Sequence, residues 1–209
     1  MKENYQIILD KTIADLSERG VVPTLLLHSC CAPCSSYVLE YLSKYFHITI
    51  FYYNPNLDTR EEFERRVGEQ KKLISKLPVE NEVKFIEGEF DKSKFYDIAR
   101  GLEDVPEGGE RCFKCYRLRL KESAKIAKEL GFDYFTTTLS ISPLKNAQKL
   151  NEIGIEVGES YGVKYLLSDF KKREGYKRSC ELSKIYGLYR QDYCGCEYSK
   201  AEALARRHR

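Results

Sequence analysis

Short apolar runs alternate with longer amphipathic stretches along most of this chain. Residues 24–29 (TLLLHS) follow Gly20 and Pro23 and read as a buried strand that ends where Cys30 begins. Residues 48–53 (ITIFYY), 83–86, 134–138 and 163–167 repeat that signal. Between them, residues 58–77 carry Phe63, Val67, Leu73, Ile74 and Leu77 at roughly helical spacing, with Asp58 or Thr59 placed to cap the start. Residues 114–130 do the same with Leu118, Leu120, Ile126, Ala127 and Leu130, and stop at Gly131. Strand and helix in alternation predict an α/β fold, a parallel sheet with helices on both faces. In such a fold, functional groups collect at the carboxyl ends of the strands. A single α/β domain over residues 1–209 is expected, closed by a cysteine-containing helical segment. The strongest break, residues 103–110 (EDVPEGGE), leads straight into Cys112 and reads as a wall of a site, not a domain boundary.

A chain of 209 residues buries a substantial core without disulfides. Its first 19 residues are charged throughout, so no signal peptide is expected, and no apolar run is long enough to span a bilayer. A cytoplasmic location, where thiols stay reduced, follows as the expectation. Net charge is only +3, from 35 Lys and Arg against 32 Asp and Glu, so bulk charge does not announce a nucleic-acid binder. Any such role has to rest on local patches.

Eight cysteines change the picture because of where they fall. Cys30, Cys31 and Cys34 form one group, Cys112 and Cys115 a second, Cys194 and Cys196 a third; Cys180 stands alone and reads as a core or helix-face residue. The first group follows a predicted strand and opens a helix. Many nucleotide-binding α/β proteins keep a glycine-rich phosphate loop there, but here thiols replace the glycines. Backbone N–H groups and the helix dipole favour negative sulfur at that position. Cys112 and Cys115 make a C-x-x-C, whose spacing lets two sulfurs approach one metal or cluster. Together the two groups supply a four-thiolate set, for a redox metal centre or, alternatively, structural zinc. Cys194-Gly195-Cys196 is too short for ordinary cross-linking but closes into a strained, reducible ring. A redox-active pair is the favoured reading there, and further metal ligation competes with it.

The segments HSCCAPCSS, RCFKCYRLRL, TTLSISPLKN and YRQDYCGCEYS, in this order, resemble the cobalamin-independent epoxyqueuosine reductase family, over about Leu25 to Ser199. The resemblance implies a Rossmann-like fold related to adenine-nucleotide hydrolase-like domains. It implies an oxidoreductase that deoxygenates epoxyqueuosine to queuosine in tRNA, the last step in making that nucleoside. It further implies a [4Fe-4S] cluster on Cys30, Cys31, Cys112 and Cys115, with Cys194 and Cys196 as the redox-active pair. Cys34 leaves five thiols near a four-ligand site, so the partition among Cys30, Cys31 and Cys34 stays open, as does a place for an additional iron ion. Expected partners are epoxyqueuosine-containing tRNA and an electron donor that the sequence does not identify; no membrane is expected, and the oligomeric state is left open.

Other residues invite weaker assignments. Ser142, Lys145 and Asn146, with Ser140, lie in LSISPLKN between strand and helix, where they either grip the substrate or cap a helix. Lys171, Lys172, Arg173, Lys177 and Arg178 surround Tyr176 in a basic loop that either follows RNA or is simply solvated, and residues 203–209 (ALARRHR) add charge at a helix end. Tyr193, Asp192, Glu110 and His28 adjoin cysteine motifs as proton-donor candidates, although a histidine satisfied by a backbone partner is the commoner outcome for His28. Two other functions compete. One is an ATP-dependent tRNA sulfur or adenylyl transferase, against which the missing glycine-rich loop counts; the other is a zinc-stabilised RNA-binding module.

Overall fold

A computed structural model describes residues 3–207. Five parallel strands form one sheet: β1 (Thr24–His28), β2 (His47–Tyr52), β3 (Val83–Glu87), β4 (Tyr134–Thr137) and β5 (Lys164–Tyr165), in the order β3-β2-β1-β4-β5. The order reverses at β1, so the carboxyl end of β1 is the crevice where doubly wound sheets bind ligands. Each predicted strand is present. The last is shorter than expected, because beyond Tyr165 the chain keeps only single bonds to β4, Leu166 N to Phe135 O at 2.9 Å and Thr136 Oγ1 to Leu166 O at 2.8 Å.

Alternation within the strands assigns the two faces. Leu25, Leu27, Ile48 and Ile50 point to a core closed by α1 (Tyr5–Glu18), α2 (Ala32–Leu42) and α3 (Arg60–Lys76). Leu26, Phe51 and Phe135 point the other way, onto α5 (Glu110–Glu129) and α6 (Ala147–Tyr161). Helices α4 (Ser93–Ala99), α7 (Gly175–Ile185) and α8 (Glu197–Arg207) complete the chain. Helices on both faces of an all-parallel sheet are the predicted α/β architecture. No helix is long and apolar enough to cross a membrane among the described residues.

Helix starts are set locally. Thr59 caps α3, its hydroxyl accepting from Glu62 N at 3.1 Å, and Glu61 and Glu62 meet the positive helix end. The second predicted helix begins earlier than the apolar spacing suggests, at Glu110 instead of residue 114, because Gly109 supplies an extended cap and Glu110 an acidic first turn. Cys112, which lies ahead of the predicted start, therefore joins Cys115 inside the first two turns of α5. Of the basic C-terminal stretch, His208 and Arg209 lie outside the described residues.

Candidate metal and thiol site

The sequence turns sharply after β1. Cys31, in extended conformation, is the N-cap of α2, and Pro33 occupies that helix's first turn, where its missing N–H costs nothing. The turn brings the sulfurs of Cys30, Cys31 and Cys34 within 4.8 Å of one another, with Cys30 and Cys31 at 3.8 Å. Hydrogen bonds from the Cys30 and Cys34 thiols, then the Arg66 charge and the Cys34 backbone N–H, hold the Cys31 thiol well below its ordinary range. Cys34 is pushed the other way by its two thiol neighbours. Three sulfurs this close, with Cys31 the one favoured to ionise, form a ready metal-binding nucleus.

The other thiols gather nearby at the carboxyl edge of the sheet. Cys112, Cys115, Cys194 and Cys196 border a nearly filled space of about 10 Å³ with Asn56, Arg111, Arg119 and Lys145. Burial pushes the Cys115 thiol up to about 12, with Cys194, Cys196 and Cys112 adding to the rise. A larger cavity of about 430 Å³ carries Cys30, Cys31 and Cys34 on its wall, and Cys194 borders both spaces. Cys112 also packs into the apolar cluster that contains Cys30 and Cys31. All eight cysteines are free thiols, and Cys180 is half-buried and outside these spaces.

Three arginines are buried around the thiols, and sequence reading did not find them: Arg66 at 2 %, Arg111 at 2 % and Arg119 at 1 % exposure. Arg119 donates to Asn54 Oδ1 at 3.3 Å and to Cys115 O at 3.4 Å, and no carboxylate pairs with it among the described residues. Asn54 in turn donates to Ser29 O at 2.8 Å, tying α5 to the thiol turn. Arg66 pairs with Glu62 at 2.7 Å and reaches Cys194 O at 3.3 Å, yet its Nη2 is buried without a partner. Burial opposes both charges. Thiols outweigh it, since Cys115, Cys194 and Cys30 hold Arg119, and Cys31 helps to hold Arg66, above the ordinary guanidinium range.

An arginine cannot shed its proton, so a buried one lacking a carboxylate calls for another anion. A thiolate-bound metal centre is such an anion, and these residues fit one in charge and donor type. Cys30 and Cys31 line the larger cavity, Cys112 and Cys115 line the adjoining smaller space, and Cys112 packs against the apolar cluster that holds Cys30 and Cys31. A signal for Arg119 exists in the sequence: it stands four residues after Cys115, on the α5 face that also buries Tyr116, Leu120 and Ala124. Asn54 and Asn56, which sequence reading left without a role, belong to the same surroundings.

The remaining predicted residues separate. Ser142 and Lys145 line the larger cavity. Lys145 forms a buried ion pair with Glu107 at 2.8 Å; burial opposes its charge, but Cys194, Tyr116 and Glu107 overcome this and hold the ammonium well above its usual range. Asn146 caps α6, accepting from Lys149 N at 3.0 Å, and borders a neighbouring groove instead of the thiol cavity. His28 is fully buried, its Nδ1 2.8 Å from Thr137 Oγ1 and its Nε2 3.0 Å from Tyr53 O; burial, then Arg119, lowers it to about 3. Both ring nitrogens are thus occupied, the backbone-satisfied outcome. Glu110 is exposed and borders neither space, whereas Asp192 and Tyr193 line the larger cavity.

The basic loop is largely neutralised from within. Arg178 forms a two-pronged pair with Glu40 at 2.9 and 2.6 Å, Lys177 pairs with Glu174, Arg173 with Asp10 and Lys171 with Asp169. Lys172 alone of the five has no carboxylate partner among the described residues.

Residues 25–202 match the family described as Epoxyqueuosine reductase QueH. Relatives bearing that name include one from Staphylococcus epidermidis, 45 % identical over 202 residues, covering 95 % of this chain and 85 % of the relative. Another, from Streptococcus pyogenes serotype M1, is 43 % identical over 95 % of this chain and 78 % of the relative. A third, from Thermotoga maritima, is 35 % identical over 86 % of this chain and 91 % of the relative.

Proposed function

The chain belongs to the epoxyqueuosine reductase QueH family, and from that premise we propose how its thiols divide the work of deoxygenating epoxyqueuosine in tRNA. Cys30, Cys31, Cys112 and Cys115 are the ligands of a [4Fe-4S] cluster, and Cys194 with Cys196 is the redox dithiol. When bound, the cluster supplies single electrons and a Lewis-acidic iron. Support for the ligand set is the pair of buried arginines: Arg119 stands among Cys115, Cys194 and Cys30 with no carboxylate partner among the described residues, and Arg66, though paired with Glu62, keeps a buried unpartnered Nη2 and feels the Cys31 thiolate.

Deoxygenation of an epoxide consumes two electrons and two protons and yields an alkene and water. Oxidation of the Cys194 and Cys196 thiols to one disulfide releases two electrons and two protons, so the pair balances one turnover. Gly195 lets the two sulfurs approach. Cys194 borders both the larger cavity and the Cys112–Cys115 space, whereas Cys196 borders only the latter, so Cys194 is the thiol nearer the substrate. Lys145, held charged beside Cys194 by Glu107, keeps a cation where negative charge appears on sulfur or on the released oxygen. The disulfide is then returned to the dithiol by an external donor. This chemistry suits the reducing cytoplasm, which we assign as the location.

A second reading concerns Cys34. The 3.8 Å separation of the Cys30 and Cys31 sulfurs is about what two thiolates take on one tetrahedral ion with metal–sulfur bonds of ~2.3 Å. Since Cys30 and Cys31 are assigned to the cluster, Cys34 is the thiol of this trio left either to replace Cys30 there or to help hold a single additional iron ion. Anaerobic purification with visible spectroscopy and iron, sulfide and zinc quantification tests the assignment. Stoichiometric zinc without acid-labile sulfide would falsify the cluster; iron in excess of four per chain that is lost in Cys34→Ser supports the additional ion.

A further inference from the structure

The larger cavity has a wall that the thiol chemistry leaves unused, carrying Tyr176, Arg190 and Gln191. Tyr176 is 39 % exposed, in the first turn of α7. The segment that presents it is firmly held. Arg173 and Glu174 both take positive φ, and at Gly175 a Cβ would lie 2.0 Å from Phe170 O and 2.5 Å from the Tyr37 ring. Arg178, paired with Glu40, fastens α7 to α2. The Arg190 guanidinium stands 5.4 Å from the Tyr176 ring centroid, and the amide oxygen of Gln191 is buried with no hydrogen-bond partner among the described residues.

A rigid, open aromatic ring braced by a cation, beside an unused acceptor, has the parts that hold an unpaired nucleobase: a π face for stacking and an oxygen for an N–H on the base edge. The cavity volume of about 430 Å³ is in the small-ligand range and too small for a folded RNA stem. The target nucleotide must therefore leave its stack to reach the thiols.

Resting on the reductase reading above, we infer that Tyr176, Arg190 and Gln191 form the base-holding wall for one nucleotide extruded from an RNA loop. Tyr176 stacks on the base, Gln191 accepts from its N–H edge, and Arg190 braces the ring and offers charge to the adjoining phosphate. The base substituent then points toward Cys194 and the Cys30–Cys34 turn.

The test is equilibrium binding, under anaerobic conditions, of the metal-loaded enzyme to fluorescently labelled tRNA carrying epoxyqueuosine. Stacking contributes ~1–3 kcal/mol per base, so Tyr176→Leu is expected to weaken binding about tenfold, while Tyr176→Phe, which keeps the π face, stays within about threefold of wild type. Gln191→Leu is expected to weaken binding roughly fivefold through the lost acceptor. A Tyr176→Leu enzyme that binds as tightly as wild type overturns the assignment, and so does a Tyr176→Phe enzyme as weak as Tyr176→Leu. If wild type reduces the tRNA while Tyr176→Leu binds normally, only the base-holding wall is refuted; if wild type neither binds nor reduces it, the reductase reading falls as well.

Discussion

Replacing Gly195 by Ala probes the dithiol loop with the fold held constant. Gly195 sits at φ +128, a backbone conformation that residues with a Cβ adopt only under strain, at a cost of about 1–3 kcal/mol. The added methyl would also stand 2.4 Å from Leu57 Cδ2 and 3.2 Å from Arg66 Nη1. Leu57 is 1 % exposed and packed with Tyr52, Phe63 and Val67, so it cannot swing aside, and overpacking of this kind adds about 1–3 kcal/mol. The total, roughly 2–6 kcal/mol, rivals what holds the loop down. That hold includes the bonds from Asp58 N to Gly195 O at 3.0 Å and from Arg66 Nη1 to Cys194 O at 3.3 Å, worth roughly 0.5–1.5 and 1.5–3 kcal/mol.

Lifting the loop is therefore cheaper than unfolding the sheet. The expected outcome is a folded protein by circular dichroism whose Cys194 and Cys196 alkylate at least about tenfold faster in a timed iodoacetamide reaction read by peptide mass spectrometry, the ratio that ~1.4 kcal/mol of easier opening gives. Cys30, Cys31 and Cys34 should react at wild-type rates in the same metal-free samples. Gly101→Ala is the control, with φ +76 but nothing within 4 Å of the added methyl, so it carries backbone strain alone. Unchanged alkylation of Cys194 and Cys196, together with an unchanged melting temperature, would show that the steric reasoning about this loop is wrong.

Removing the positive charge in Arg119→Leu should make the cluster harder to reduce, by at least a tenfold change in the equilibrium or ~59 mV for one electron, with Arg119→Lys intermediate; equal midpoint potentials in a spectroelectrochemical titration would contradict a counter-charge role. Lys145→Met strands the buried Glu107 carboxylate and should cost about 3–5 kcal/mol in urea unfolding, much of it regained in Lys145→Met/Glu107→Gln; if the double variant is no better than the single, the ion pair is not the cause. In tRNA binding, Lys172→Ala should lower the salt slope by roughly 1 and Arg178→Ala should leave it nearly unchanged, because of the two only Lys172 has no carboxylate partner among the described residues; equal slopes would remove Lys172 from the RNA interface.

The sequence by itself determined the order of strands and helices, because period-two and helical spacings are local properties read within a single element. It also placed the three cysteine groups at element boundaries, and their order carried the resemblance to a reductase family. Spacing along the chain also kept Cys112 and Cys115 together, although the cap at Gly109 brought Cys112 into α5 beside Cys115. Which groups face one another was decided by tertiary structure, since that depends on how distant elements pack. Folding sets Cys194 between two cavities, buries Arg66 and Arg119 beside thiols, and routes Asn54 from Ser29 to Arg119. It also cancels most of the basic loop, because Arg173 meets Asp10 and Arg178 meets Glu40, partners more than a hundred residues away that no local pattern could pair with them.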